Sequence, residues 1–285
     1  MHLRILHRTT FSYPGQATDS FNEVRLRPVN DPTQHCLDFQ LKLTPFAEAR
    51  DYEDFHNNLA HYFDIPGPHS ELIIEAISLV KTEPMNRRPA VPSIPTAVLE
   101  TFADREMLAQ FYTSSHYVPL DVELWREAQD ALRDGRGDIW SDVRRLGSHI
   151  YRTFSYRQNV TGVNTRATEA LKLRSGVCQD YAHVHLGLCR SVGIPSRYVS
   201  GYFFNDTRKT SEIEASHAWI EAYVPGFGWA PYDPTHDRPA DERYVKVAVG
   251  RDYADIPPVN GTYRGAAARS LKVEVTVRQA DAPSS

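Results

Sequence analysis

The sequence predicts an α+β protein in which an N-terminal antiparallel β-sandwich-like domain precedes a core of helices packed on an antiparallel sheet. Three observations support this fold class. The first third of the chain has short runs of branched and aromatic residues between turn formers, the middle has helical periodicity, and a period of two then returns. Helices followed by a run of strands are typical of α+β proteins and not of doubly wound parallel sheets.

The proline-rich stretch TEPMNRRPAVPSIPT divides the chain into two parts. Its four prolines and low apolar content predict an extended linker over residues 82–96. We therefore predict an N-terminal β-domain over residues 1–81 and a second domain over 97–278, with a disordered tail over 279–285. Five strands are expected in the first domain, LRILHRTTFSY, EVRLRPV, CLDFQLKLTP, LAHYFDI and ELIIEAISLV, with turns at PGQ, NDPTQ, NN and PGPH.

Three helices and then several strands are expected after the linker. DVELWREAQDALRDG has Asp121 as a plausible N-cap, and the apolar residues of DIWSDVRRLGSHIYRTFSY recur every three or four positions. The third helical run begins at Cys178, with Gly193 as a ready C′ residue and Pro195 just beyond. The predicted strands are SRYVSGYFF, EIEASHAWIEAYV, GWAPYD and, near the C-terminus, LKVEVTV.

Composition and charge exclude several classes of protein. The chain has 285 residues and a formal net charge of −4, whereas nucleic-acid-binding proteins usually carry a basic face. No apolar run approaches the roughly 18 residues of a membrane span, and MHLRILHRTTFSYPG lacks the apolar stretch of a signal peptide. Three cysteines indicate no disulfide framework. We expect a cytoplasmic protein with no nucleic-acid or membrane partner.

Cys178 occupies an unusual position for a packing cysteine, at the start of a helix. If Ser175 is the N-cap, Cys178 lies at the third helical position, where unpaired amides and the helix dipole stabilise a thiolate. A buried, unreactive thiol is the alternative interpretation, because most free cysteines pack as small apolar residues. We interpret Cys189, in mid-helix, and Cys36, in a strand, as packing residues.

His217 and Asp233 are predicted to lie close together in a β-hairpin that turns at Pro225-Gly226. With an effective three-residue loop at residues 224–226, His217 falls directly opposite Asp233, and the two Cβ atoms are about 5 Å apart. The same register pairs Trp219 with Pro231. A two-residue loop would instead place Asp233 on the other face of the hairpin, so this register is an assumption.

A cysteine, a histidine and an aspartate in this arrangement can act as nucleophile, base and orienting group. The imidazole takes the thiol proton, the thiolate attacks a carbonyl, and a second nucleophile resolves the acyl-enzyme. The backbone amide of Cys178 is a candidate for one oxyanion donor, and Tyr156 and Asn159 are candidates for the second. No cofactor and no metal are expected, and a zinc site formed by Cys178, His185 and Cys189 is an alternative interpretation. His183 and His185 lie about 200° apart on a helix and cannot share one ion.

The stretches GVCQDYAH, GIPSRYVSGY and ASHAWIEAYVPGFGWAPYDPT together resemble the transglutaminase-like superfamily of papain-related cysteine enzymes. Similarity is greatest to bacterial members that join such a core to an N-terminal β-domain, and it extends over nearly the whole chain. The resemblance implies a transglutaminase-like, papain-like catalytic domain over residues 97–278. The GVCxD, HAW and DPT signatures then place nucleophile, base and acid on Cys178, His217 and Asp233. One departure is DPTH, since relatives often have asparagine after the threonine.

The expected function is that of a cysteine-dependent acyl-transfer enzyme on amide bonds of peptides or proteins, working through a thioester. A peptidase or amidase is favoured, and a protein-glutamine gamma-glutamyltransferase with an amine acceptor is the alternative. A non-catalytic binding module on the same fold is a third possibility. Trp219, Trp229 and Tyr202 are candidate substrate-binding residues, with core packing as the other interpretation. The sequence leaves the substrate and the oligomeric state open.

Overall fold

The computed structural model describes residues 1–206, 216–265 and 269–281. Four helices occur in this part of the chain: α1 (Val122–Ala131), α2 (Ile139–Thr153), α3 (Ala167–Leu173) and α4 (Cys178–Ser191). The strands are β1 (His2–Val24), β2 (Gln34–Thr44), β3 (Arg50–Glu53), β4 (Leu59–Ile65), β5 (His69–Thr82), β6 (Ser155–Tyr156), β7 (Ser175–Gly176), β8 (Ser196–Phe203), β9 (His217–Val224), β10 (Gly228–Asp233), β11 (Arg238–Pro239), β12 (Tyr244–Gly250), β13 (Val259–Gly265) and β14 (Ser270–Gln279).

A single long strand, β1, organises the N-terminal domain. Its first half pairs with β5 and β14, and its second half pairs with β4 and β13, all antiparallel. The register shifts between Ser12 and Ala17, so PGQ lies within β1 and the separate turn predicted there is wrong. The predicted strand EVRLRPV is also wrong in part, because β1 ends at Val24.

The N-terminal domain has one apolar core between the two halves of this sheet. Strands β2 and β5 contribute Leu43, Leu72 and Ile74, and β4 contributes Phe63 and Ile65 to the same cluster. Burial alternates along β5, as expected for a strand with one face toward a core. The two halves therefore pack face to face, in agreement with the predicted sandwich-like domain.

The second domain is built on a five-stranded antiparallel sheet with the strand order β11-β10-β9-β8-β12. Helices cover one face of this sheet. Helix α4 is central, because it packs against β8 and β9 and also against the other three helices. Every residue of α4 from Asp180 to Arg190 is buried. Such complete burial holds the first turn of α4 at a fixed position relative to β9. Helix α3 and strand β12 had no counterpart in the sequence prediction.

The C-terminal strands β13 and β14 belong to the N-terminal sheet, since both pair with β1. The sequence prediction placed both segments in the second domain, and neither the period nor the composition of LKVEVTV indicates which sheet it joins. The predicted disordered tail begins within β14, at Gln279. Residues 282–285 of that tail lie outside the described residues.

Side chains also connect the two sheets. The Gln34 amide donates to the carbonyl of Lys246 at 2.8 Å and accepts from the Lys246 amide at 2.8 Å. Asn58 makes the same two-way bond with the backbone of Val249, also at 2.8 Å. Both backbone partners lie on β12, so the N-terminal domain braces the outer strand of the second sheet.

Candidate active site

Cys178 is the first residue of α4. Val177 before it is extended, and its N–H donates to the Asp180 carboxylate at 2.7 Å, an oxygen that also accepts from the Thr161 hydroxyl at 2.7 Å. Asp180 therefore braces the loop before the helix. Ser175 lies in β7, so the prediction that it is the N-cap is wrong, although Cys178 does lie in the first turn.

Gly176 lets the loop approach the helix closely. A Cβ atom at this position would lie 2.3 Å from a carboxylate oxygen of Asp180. The backbone then enters α4 so that the amide of Cys178 is one of the first-turn N–H groups without a partner in the helix. Such groups favour negative charge nearby, on the sulfur or on a substrate oxygen.

The three cysteines differ in their surroundings. Cys189 is fully buried, and burial raises the pKa of its thiol strongly. Cys36 is half-buried in β2, and burial raises the pKa of that thiol as well. Cys178 is half-buried at the helix end and is hydrogen-bonded to His217.

The β9–β10 hairpin turns through residues 225–227, with the Phe227 N–H bonded to the Val224 carbonyl at 3.0 Å. Its register pairs Glu221 with Pro231, where the sequence analysis expected Trp219 to pair with Pro231. The predicted register is thus wrong by two residues. A shift of two keeps every side chain on its expected face, because the period of a strand is two.

His217 and Asp233 are joined directly. The ring nitrogen Nε2 of His217 lies 2.8 Å from Oδ2 of Asp233. Since Nε2 is occupied by the carboxylate, Nδ1 is the ring nitrogen available to the Cys178 thiol. Cysteine, histidine and aspartate thus form a continuous hydrogen-bonded chain from the helix end to the sheet. The predicted strand for His217 began at Glu212, but residues 207–215 lie outside the described part of the chain.

The charges of His217 and Asp233 stabilise each other. Burial alone would lower the pKa of His217, but the carboxylate of Asp233, together with Cys178, raises it to about 10. Burial would raise the pKa of the Asp233 carboxyl, yet His217 and then His236 hold it far below its usual range. The pair is therefore an imidazolium and a carboxylate near neutral pH.

Asp233 accepts three further hydrogen bonds that the sequence analysis did not identify. Its Oδ2 receives one from Nδ1 of His236 at 2.6 Å and one from the Tyr244 hydroxyl at 2.7 Å, and its Oδ1 accepts from the Thr235 amide at 2.8 Å. His236 follows three residues after Asp233 in the DPTH motif, so that spacing was an available signal. Tyr244 lies in β12, and no local pattern points to it.

The three predicted substrate-binding residues have different surroundings. Trp219 is 1% exposed, and its ring lies 6.1 Å from that of His217. Tyr202 is 2% exposed, and its hydroxyl bonds Nδ1 of His7 in β1. Their burial favours packing over contact with a substrate. Trp229 is half-buried and lines a cavity of about 860 Å³ that the linker residues Arg88 and Val91 also line.

The remaining candidate residues take structural positions. His183 accepts from the Tyr253 amide at 3.2 Å, and burial lowers the pKa of His183 to about 3. Nε2 of His185 bonds the Val143 carbonyl at 2.9 Å. Tyr156 is half exposed on β6, and Asn159 has a positive φ of 62°. Neither observation assigns the second oxyanion donor.

Within the described residues, one group of side chains has a geometry suited to a metal ion: His217, Asp233 and His236. Their donor atoms all lie within 4.8 Å of one another. The alternative zinc set, Cys178 with His185 and Cys189, is not among the groups that the described residues bring together in this way. Direct hydrogen bonds join His217 and His236 to Asp233. The same arrangement is therefore also suited to proton transfer.

Comparison with known proteins identifies the family. Residues 126–234 match the transglutaminase-like superfamily, and residues 3–81 match the bacterial transglutaminase-like N-terminal region. An uncharacterised protein of Mycobacterium leprae (strain TN) is 34% identical over 280 residues, which are 96% of this chain and 98% of that protein. The chain belongs to the transglutaminase-like superfamily.

Two further proteins are similar to this chain. A protein-glutamine gamma-glutamyltransferase of Pseudomonas aeruginosa is 32% identical over 256 residues, which are 85% of this chain but 35% of that protein. The crystal structure of a proposed cysteine protease from Cytophaga hutchinsonii aligns with a TM-score of 0.75 and 24% identity, covering 99% of this chain and 92% of that one. The similarity to the Cytophaga hutchinsonii structure shows that the two proteins share a fold. No helix in the described residues is long and apolar enough to span a membrane.

Proposed function

We propose that this protein is a cysteine-dependent acyl-transfer enzyme that acts on amide bonds of peptides or proteins, with hydrolysis as its main reaction. One observation carries the proposal: Cys178, at the N-terminal end of α4, is hydrogen-bonded to His217, whose Nε2 is bonded to Asp233 at 2.8 Å. A nucleophile, a base and an orienting carboxylate in this order are the parts that acyl transfer needs.

The first half of the reaction forms a thioester. In the resting site Nδ1 of His217 holds the proton of the Cys178 thiol, and the thiolate sulfur attacks the amide carbonyl carbon. The C–S bond forms as the carbonyl electrons move to oxygen, and the backbone N–H of Cys178 donates to that oxyanion. When the oxyanion collapses, the C–N bond breaks, and the imidazolium of His217 gives its proton to the leaving amine.

The second half returns the thiolate–imidazolium pair of Cys178 and His217. His217 takes a proton from water, the hydroxide oxygen attacks the thioester carbonyl, and the C–S bond breaks to release a carboxylic acid. Asp233 keeps Nε2 protonated throughout, so Nδ1 is the nitrogen that exchanges protons, and its charge stabilises the imidazolium. The sequence of steps needs no cofactor.

A transglutaminase reaction is the second candidate, and one observation favours it. The Pseudomonas aeruginosa relative is named protein-glutamine gamma-glutamyltransferase, and its similarity covers most of this chain. In that reaction a primary amine replaces water at the thioester. The acceptor depends on what excludes water from the cleft, which the identity of the three residues does not determine. The proposed substrates are peptides or proteins, and the proposed location is the cytoplasm.

The product distribution tests both candidates. Purified protein is incubated with glutamine-containing and other acyl-donor peptides, with and without a primary amine, and the products are weighed by mass spectrometry. Hydrolysis gives a free acid in both conditions, whereas transfer gives an amide with the added amine. Cys178→Ala is the matched control. If no donor is converted while the variant and the wild type are equally folded, the non-catalytic binding module becomes the better account.

A further inference from the structure

We propose that His236 is a positioning residue for this site: it holds the Asp233 carboxylate in the orientation that keeps Oδ2 on His217. The inference rests on the proposed function, because it assigns His236 a role in the charge of the Cys178–His217 pair. His236 is not part of the three-residue set, and it directly follows the DPT triplet that contains Asp233.

Three side chains contact the same oxygen atom of Asp233, Oδ2. Nε2 of His217 lies 2.8 Å from Oδ2, Nδ1 of His236 lies 2.6 Å from it, and the Tyr244 hydroxyl lies 2.7 Å from it. Oδ1 receives the Thr235 amide. Asp233 is fully buried, and no Arg or Lys in the described residues forms an ion pair with it. The two imidazoles are therefore its only nearby partners able to carry positive charge within that part of the chain.

Packing fixes the ring of His236. It lies 4.8 Å from the Phe203 ring and 5.3 Å from the His217 ring, measured between centroids. Its side chain is 37% exposed, whereas that of His217 is 10% exposed. His236 thus covers the outer side of the Asp233–His217 pair while one of its nitrogens is bonded to the carboxylate.

The loss of this contact has a definite consequence for the carboxylate. A carboxylate held by His236 and by the Thr235 amide on opposite oxygens resists rotation about its Cβ–Cγ bond. Without His236, Oδ2 keeps two partners, and water gains access from the side that the ring covers. The imidazolium of His217 is then less well stabilised, and the thiolate of Cys178 with it.

Other charged groups near this site stay in place in the test. Arg238 on β11 donates to the Tyr244 hydroxyl at 3.2 Å and lies over the Phe203 ring. Arg243 also lies over that ring. Asp237, next in sequence, accepts from Ser148 at 2.5 Å. None of these groups is altered by a substitution at His236, so a change in the site reports the lost imidazole.

Two substitutions separate positioning from filling of space. His236→Leu keeps a bulky side chain but removes the N–H donor, whereas His236→Asn keeps an N–H donor that cannot ionise. The rate constant for alkylation of Cys178 by iodoacetamide is measured from pH 4 to 10, together with kcat and KM on a converted donor. We expect His236→Leu to lower the alkylation rate and kcat on the order of tenfold with KM unchanged, and His236→Asn to restore most of the loss.

The pH profile distinguishes positioning from a general structural defect. In His236→Leu the acid limb of the alkylation profile should move to higher pH, because the thiolate–imidazolium pair is less stable, and in His236→Asn it should not. Equal alkylation rates, and acid limbs at the same pH, in wild type and His236→Leu would overturn the inference. If Leu prevents folding, His236→Met provides the same comparison. Slow alkylation of Cys178 in the wild type would instead contradict the proposed function itself.

Discussion

Nε2 of His217 lies 2.8 Å from Oδ2 of Asp233, although the two residues are not opposite each other in the β9–β10 hairpin. The pairing that ends at Ile220 and Tyr232 puts Asp233 level with Trp219, two positions along the strand from His217. A diagonal separation of this kind is within reach of a carboxylate and an imidazole. The diagonal contact fixes the tautomer of His217 and leaves Nδ1 for Cys178.

The first prediction concerns the selectivity of thiol modification. Cys178 should be alkylated much faster than Cys36 and Cys189 near neutral pH, because His217 and the helix end favour its thiolate. Burial raises the pKa of each of the other two thiols. Brief treatment with iodoacetamide followed by peptide mass mapping measures the three rates. Comparable labelling of Cys36 would mean that the site does not activate its cysteine.

The second prediction separates the roles of His217 and Asp233. His217→Ala removes the base and should nearly abolish turnover, since nucleophile and base act as a unit. Asp233→Asn should be milder, with a loss on the order of 10- to 10⁴-fold, because an amide still contacts the ring but carries no charge. Steady-state kinetics on one converted donor give both values. A larger loss for Asp233→Asn than for His217→Ala would reverse the assigned roles.

The third prediction is the pH dependence of stability. The pKa of His217 rises from 6.5 to about 10 on folding, so the protonated ring contributes stability that is complete below pH 6.5 and is lost as the pH rises through about 10. The pKa of Asp233 falls on folding, so its contribution is present above about pH 4 and is lost in stronger acid. The difference in Tm between wild type and His217→Gln should therefore shrink from pH 6 to pH 10. A difference that grows over this interval would contradict the charged pair.

The fourth prediction concerns the contact between α2 and the sheet. A Cβ atom on Gly147 would lie 2.2 Å from the Tyr232 ring and 3.0 Å from that of His185. Gly147→Ala should lower the free energy of unfolding by about 1–3 kcal/mol, the usual cost of overpacking. Thermal or urea denaturation measures it. Gly67→Ala is the matched control, because nothing lies within 4 Å of its Cβ position; an equal effect at both positions would refute the steric explanation.

Local patterns predicted much of the site. The apolar run after Gly176 located the first turn of α4, and the alternation in β9 and β10 placed His217 and Asp233 on one face. A register error of two residues leaves each side chain on the same face of the sheet. The faces of His217 and Asp233 were therefore predicted correctly, although their pairing was not. His236 was missed because a side chain that folds back three residues depends on the turn geometry, and Tyr244 was missed because β12 reaches the site through the sheet.

Sheet membership was the weakest part of the sequence prediction. The period of two in LKVEVTV predicts a strand but contains nothing about its partner, and the structure pairs β14 with β1 from the other end of the chain. Pro14 and Gly15 indicated a turn, whereas the structure absorbs them as an irregularity within β1. Long-range pairing of this kind depends on which apolar faces meet in the folded protein.

The measurement closest to the central claim is detection of the acyl-enzyme itself. Wild-type protein is mixed with a converted amide donor, quenched in acid within the first turnovers, digested and examined by mass spectrometry. The account predicts the mass of the acyl group on the peptide that contains Cys178, lost on treatment with hydroxylamine and missing from Cys178→Ser. Turnover without any such adduct, or full activity in Cys178→Ser, would contradict it and would favour a water activated by a metal ion at His217, Asp233 and His236.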